Sequence, residues 1–178
     1  MKKFLVTTAN RETWPKNKEK IIFLGEWCRL HSTKTNWEKL NHEVINYHWD
    51  NRDKFENDYY YLIDFYEKLL KKLSIKMNSI HQVNHNLRHW RILLGPWLFL
   101  FIQSVFDKWE MIHLALKSGE KLTTNIIKES ELKWTPYDHL DFENLVMDCE
   151  DWNGFIFGKI IELNHKKIEI NRICKKQS

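Results

Sequence analysis

Glycine and proline are scarce in this chain, five and three among 178 residues. Tight turns and bulges draw on both, so a sandwich or barrel of many short hairpins is excluded and long helices are favoured. Cysteine is represented by Cys28, Cys149 and Cys174, an odd number with no close pair. That excludes a disulfide scaffold and a Cys-paired zinc site, and fits a reducing compartment. Neither Gly-x-Gly-x-x-Gly nor Gly-x-x-x-x-Gly-Lys-Ser/Thr occurs, so the chain has no standard nucleotide-phosphate loop. The most apolar run, Ile92 to Ile102, is about half the length a membrane helix needs. Met1 to Val6 imitates a secretory leader but the chain turns polar at Thr7. The expectation is a cytoplasmic protein without a transmembrane segment, working free or against the inner face of the plasma membrane.

Aromatic residues, by contrast, reach 14%, with nine Trp, and hydrophobic residues reach 43%. Such a chain can bury a core and is not disordered. Trp and Tyr combine large area with one polar handle, which suits both a core and a surface that stacks on sugars. The net charge is +4, from 28 basic and 24 acidic residues. The Lys runs at 16–20, 68–72, 166–167 and 175–176 read as scattered, acid-mixed, solvated surface, so no nucleic-acid partner is expected.

Short apolar runs at Phe4–Thr8, Ile21–Leu24 and Val44–Tyr47 predict buried strands of a parallel sheet. Residues 9–20 read as a loop made rigid at Trp14-Pro15, and Ser32–Asn41 as a short helix. Steps of three and four predict a helix from Arg52 to Ile80 and another from Asn86 to Leu116, kinked at Pro96 and ended by Ser118-Gly119. Residues 122–127 suit a fourth strand, and Tyr137–Leu163 a helical region interrupted at Asn153-Gly154. From Asn164 the chain reads as a frayed polar tail. The fold class is α/β: a short parallel, Rossmann-like sheet packed by long helices, with residues 1–163 as one domain and 164–178 as the tail.

Open parallel sheets bind ligands outside the carboxyl ends of their strands. That rule selects three loops: Thr7-Thr8, Gly25 to Arg29, and His48 to Arg52. The run Val83 to Trp97 is a fourth candidate, because two His, two Arg, two Asn and two Trp crowd a helix start. Arg88 and Arg91 there either hold an anion or pair with carboxylates on neighbouring elements. Glu26, His48, Asp50 and His85 are the general acid-base candidates, since all fall at loop or helix ends. His81, His85 and His89 lie four apart, but Asn84 and Asn86 imply a helix start that splits them, so no metal is expected. No cofactor is expected either. Cys28 has Arg29 beside it, which can activate a thiol, although a free, partly buried Cys is the simpler reading.

Several of these segments together resemble the N-terminal part of a bacterial transferase family associated with O-antigen and other surface-carbohydrate loci. They are Thr7-Thr8 with Glu12-Thr13-Trp14-Pro15, Phe23 to Leu30, Tyr47 to Arg52, Val83 to Trp97 and Phe106 to Glu110. The resemblance implies a glycosyltransferase of two Rossmann-like halves, of which this chain would be the acceptor-side half, as an N-terminal piece or a truncated reading frame. It implies a carbohydrate acceptor, a nucleotide-sugar donor, and a C-terminal half or separate chain as partner. In that reading Glu26, His48, Asp50 or His85 supplies the base. Arg29, Arg52, Arg88 and Arg91 hold anionic groups, Trp27, Trp49 and Trp90 stack on sugar faces, and Thr8 binds substrate. An aromatic is expected where His89 stands. The alternative is a carbohydrate- or partner-binding module without chemistry.

Overall fold

The computed structural model describes residues 2–17, 19–163 and 167–174. Chain contacts divide it into two compact units: one runs to Tyr47 and resumes at Lys108, the other is His48–Asp107. The first unit is built on a parallel sheet of five strands: β1 (Lys3–Val6), β2 (Ile21–Phe23), β3 (His42–Val44), β4 (Leu122–Ile127) and β5 (Ile168–Ile173). Their order is β3-β2-β1-β4-β5, all neighbours parallel. The fold is therefore α/β, as composition and patterning require. β1 and β2 are buried almost throughout, which is why they read as unbroken apolar runs rather than as alternating ones.

Several elements depart from the sequence expectation. β3 lies two residues earlier than expected, because its position follows the ladder with β2 (Ile21 opposite His42, Phe23 opposite Val44) and not local hydrophobicity. Ile45 and Tyr47 pack on the core just after the strand ends. The helix expected over Ser32–Asn41 shrinks to a 3-10 turn at His31–Thr33 and the single turn α1 (Lys34–Trp37), held by a Trp37 Nε1–H bond to the Leu30 carbonyl at 3.0 Å. The residues expected to fray contain β5, which pairs with β4 over six residues. Its Ile168 is buried and Ile170 half-buried, while Glu169, Asn171 and Arg172 are exposed; β5 is an edge strand, and these exposed polar residues give the segment its polar look.

Two α-helices of the first unit follow β4. The region expected to break at Asn153-Gly154 breaks instead at Cys149, whose extended backbone separates α4 (His139–Asp148) from α5 (Glu150–Leu163). Asn153 stays helical, and its amide donates to the carbonyls of Val146 and Cys149 at 3.1 and 3.0 Å, satisfying the end of α4. On α5, Gly158 faces Ile126 of β4 so closely that a Cβ there would stand 2.9 Å from the Ile126 methyl. At the other end of the strands, Lys3 reaches Glu43 and Glu120, and Lys20 also pairs with Glu43. The two ammonium groups, Lys20 first, hold the Glu43 carboxyl down at about 2.

The second unit is a helical hairpin. α2 (Arg52–His81) is capped by Asn51, whose Oδ1 accepts the Lys54 N–H at 2.9 Å; Asp50 is not the cap. α3 (Leu87–Lys117) starts after Asn86, whose Oδ1 accepts the His89 N–H at 3.0 Å. Pro96 lies inside α3 without ending it, and residues from Lys108 on belong to the first unit. Leu62, Leu70, Leu98 and Ile102 form the hairpin core, with Trp49, Tyr66 and Phe106 against them. The turn between the helices hangs on Asn78. Its Oδ1 accepts from the His85 N–H (3.0 Å) and Trp90 Nε1–H (2.9 Å), and its Nδ2 donates to the His85 carbonyl (2.8 Å). Asn78→Ala removes these three bonds and is expected to cost about 2–3 kcal/mol in urea unfolding. Asn78→Asp keeps both accepting contacts and should lose clearly less; equal losses would show that the bracket is not what holds the turn.

Candidate functional site

The strand order reverses between β1 and β4, and a cleft opens there at the carboxyl ends of the strands, wholly within the first unit. Thr7 and Thr8 follow β1 and are buried, Thr124 and Asn125 come from β4, and Glu150, Asp151 and Gly154 come from the first turns of α5. Two contacts close the cleft. The Ala9 N–H donates to Glu150 Oε2 at 2.9 Å, and Asn10 Nδ2 donates to Asp151 Oδ1 at 2.8 Å. The walls are braced behind. The Thr124 hydroxyl donates to the Leu5 carbonyl at 2.8 Å, and Trp14 Nε1–H to the Thr8 carbonyl at 3.1 Å. The space left is about 20 Å³, room for a water-sized group.

Electrostatics decide what this cleft accepts. In dinucleotide-binding sheets the helix N-terminus beside the switch point faces a phosphate. Here Glu150 and Asp151 occupy that end, and their charge repels one. Carboxylates, hydroxyls and an amide instead suit a ligand rich in hydroxyl groups. The Glu150 carboxyl is pushed above its ordinary range by burial, against the pull of the Ala9 N–H, with the Asp151 charge adding to the rise. A carboxylate raised in this way is a better proton acceptor than an ordinary one.

A family profile described as LIC12162 family transferase matches residues 3–178. The chain belongs to that family. Neither the search of curated proteins nor that of solved structures found a match.

The sequence candidates fall into both units. Thr8, Glu26, Trp27 and Arg29 belong to the first; His48, Trp49, Asp50, Arg52, His85, Arg88, Trp90 and Arg91 to the second. Thr8 lines the cleft. Trp27 donates its Nε1–H to the Thr7 carbonyl at 2.9 Å, and its ring lies parallel to that of Phe157, centroids 6.3 Å apart. Glu26 is exposed and its two oxygens take Arg29 Nη2 at 2.5 and 2.6 Å, while the Arg29 guanidinium lies over Trp37.

In the second unit His48 is buried, with Nε2 at 2.9 Å from Asp107 Oδ1 and Trp49 against its ring. Trp49 Nε1–H donates to Asp58 at 3.0 Å. Asp50, Arg52 and Arg88 are exposed. Of the two readings of the arginines, Arg91 follows the pairing one: its guanidinium forks onto Glu67 at 2.5 and 2.7 Å. His85 stacks on His89 with centroids 3.9 Å apart, and Trp90 is buried on Asn78. Among the described residues no group of three or more His, Cys, Asp or Glu is placed to hold a metal ion.

Local patterning does not single out Asn10, Thr124, Glu150 and Asp151, which line the cleft. A Glu-Asp pair ahead of an apolar run is a helix-start signature, but it is masked when Tyr137–Leu163 is taken as one helical region. Cys28 is fully enclosed, its Sγ against the Val6 carbonyl at 3.4 Å, and burial pushes the thiol up to about 12. Arg29 therefore does not activate it. With a thiol-reactive dye, the exposed Cys174 should react first and the half-buried Cys149 after it, with Cys28 modified only on unfolding. Rapid labelling of Cys28 in the folded protein would contradict this burial.

Proposed function

We propose that this chain is the acceptor-side portion of a glycosyltransferase of bacterial surface-polysaccharide synthesis. The observation that carries the proposal is the carboxylate-lined cleft at the β1/β4 switch point, with room for a single hydroxyl group of an acceptor, where Glu150 is raised in pKa, takes the Ala9 N–H and shares the lining with Thr7, Thr8 and Asn10. In this reading Glu150 takes the proton of the acceptor hydroxyl as its oxygen attacks the anomeric carbon of the donor sugar. The bond from that carbon to phosphate breaks, and the nucleoside diphosphate leaves with the electron pair. The carboxylates disfavour phosphate in the cleft, so in this reading the donor's diphosphate is held outside it, by a C-terminal half or separate chain. Thr8 orients the acceptor. Trp27 is the proposed stacking ring, since Trp90 is buried against Asn78 and Trp49 belongs to the other unit, and Glu26, His48, Asp50 and His85 are the rival bases to Glu150.

Incubating the protein with nucleotide sugars and lipid-linked or free glycan acceptors tests this directly. Release of nucleoside diphosphate that requires an acceptor supports it. Nucleotide release without an acceptor, or transfer of a non-sugar group, defeats it.

A second reading, a carbohydrate-binding module without chemistry, is favoured by a different observation. A groove of about 900 Å³ in the same unit, lined by Asn17, Asn36, Asn41, Asn125 and Trp14 among others, is far roomier than the cleft. Glycan binding by this chain with no turnover on any nucleotide sugar selects the module.

A further inference from the structure

From Lys68 to Phe106 the chain has no Asp or Glu, yet it carries Lys68, Lys71, Lys72, Lys76, Arg88 and Arg91. The whole protein is +4, so the chain outside this run is net acidic; the positive charge gathers at the closed end of the α2–α3 hairpin, while the acids of α2, Asp53 to Glu67, lie toward its open end. Within this run no acid intervenes, although Asp64 and Glu67 stand just before it. Lys68 pairs with Asp64 and Arg91 with Glu67, both acids lying just before the run. Lys71, Lys72, Lys76 and Arg88 are exposed and form no salt bridge among the described residues.

Large aliphatic side chains stand among these cations at the closed end of the hairpin. Ile75 is 72% exposed, Ile80 58%, Ile92 67% and Leu93 59%. On α2, Ile75 follows Lys71 and Lys72 by one turn and directly precedes Lys76; on α3, Ile92 follows Arg88 by one turn. A polyanion such as nucleic acid matches the charge but leaves the isoleucines in water. An anionic lipid surface satisfies both: phosphates take the lysines, and the headgroup–acyl boundary takes the aliphatic groups. No helix among the described residues is long and apolar enough to cross a membrane, so the contact would lie on the surface.

We propose that the closed end of the α2–α3 hairpin docks on an anionic lipid surface through Lys71, Lys72, Lys76 and Arg88, with Ile80 and Ile92 entering the headgroup region. This does not depend on the proposed reaction, and either can fail alone. The test is co-sedimentation of the full chain with vesicles of phosphatidylcholine, alone or mixed with phosphatidylglycerol. Binding is expected only to the mixed vesicles and should weaken with salt. Replacing Lys71, Lys72 and Lys76 together with Gln should lower partitioning on the order of 100-fold. The pair Ile80→Ser and Ile92→Ser should lower it about 10-fold, with helicity unchanged by circular dichroism. Absence of binding to mixed vesicles overturns the proposal. So does isoleucine-independent binding matched by binding to duplex DNA, which would make the surface a nucleic-acid site.

Discussion

Glu150→Gln is expected to cut transfer by about 10²–10⁴-fold while the protein stays folded. The amide oxygen still accepts the Ala9 N–H, so the cleft keeps its shape and loses only its proton acceptor. Stability should move the other way. The folded-state pKa of Glu150 is raised above its unfolded value, mainly by burial. The folded protein therefore holds this proton more tightly than the unfolded chain, and stability falls as pH rises from the ordinary value of 4.5 through the raised one. The Gln variant lacks that fall, so above this window it should melt at the wild-type temperature or higher. Transfer by the wild-type protein should rise with pH through the same raised pKa. Full turnover in the Gln variant would remove Glu150 as the base and turn attention to Glu26, His48, Asp50 and His85, each replaced in turn.

Gly25→Ala should be the most damaging single-methyl change in the first unit. The Gly25 backbone is extended and open to any residue (φ −173°, ψ 177°), so the requirement is space. A Cβ there would stand 2.1 Å from the Trp27 ring, which folds back over the glycine. That ring cannot simply swing away. Its Nε1–H is bonded to the Thr7 carbonyl, Phe157 lies parallel to it, and Tyr47 meets it edge-on at 6.3 Å. Displacing it forfeits these contacts and opens a void, at an expected cost of about 3–4 kcal/mol. Because Trp27 also holds Thr7 at the mouth of the cleft, ligand binding should weaken along with thermal stability. A Gly25→Ala variant as stable as wild type would mean the ring has another place to rest.

Patterning made the α/β class legible because each main element leaves a local trace. β1 and β2 are buried on both faces and read as solid apolar runs; α2 and α3 carry long stripes at helical spacing; Leu122–Ile127 is a strand at the expected residues. Elements defined by a partner were harder. β3 takes its position from β2, and β5 carries the polar residues Glu169, Asn171 and Arg172 at the edge of the sheet beside β4. The run Val83–Trp97 shows the same limit at the level of a motif. Its Asn86 caps α3 and its Trp90 and His85 backbone close on Asn78, a residue outside the motif.

By itself the sequence determined a helix-rich parallel α/β protein without a standard phosphate loop, and it placed Thr8 at a strand end, because periodicity and loop composition are local properties. Only the tertiary structure decided that β4 lies beside β1, which brings Thr8 against Glu150 across 142 positions of chain. Only it revealed that Arg91 is committed to Glu67 and that Cys28 is sealed in the core. Strand order and ion pairing depend on which surfaces meet, and a helix of either charge pattern or a strand of either neighbour is written locally in the same way.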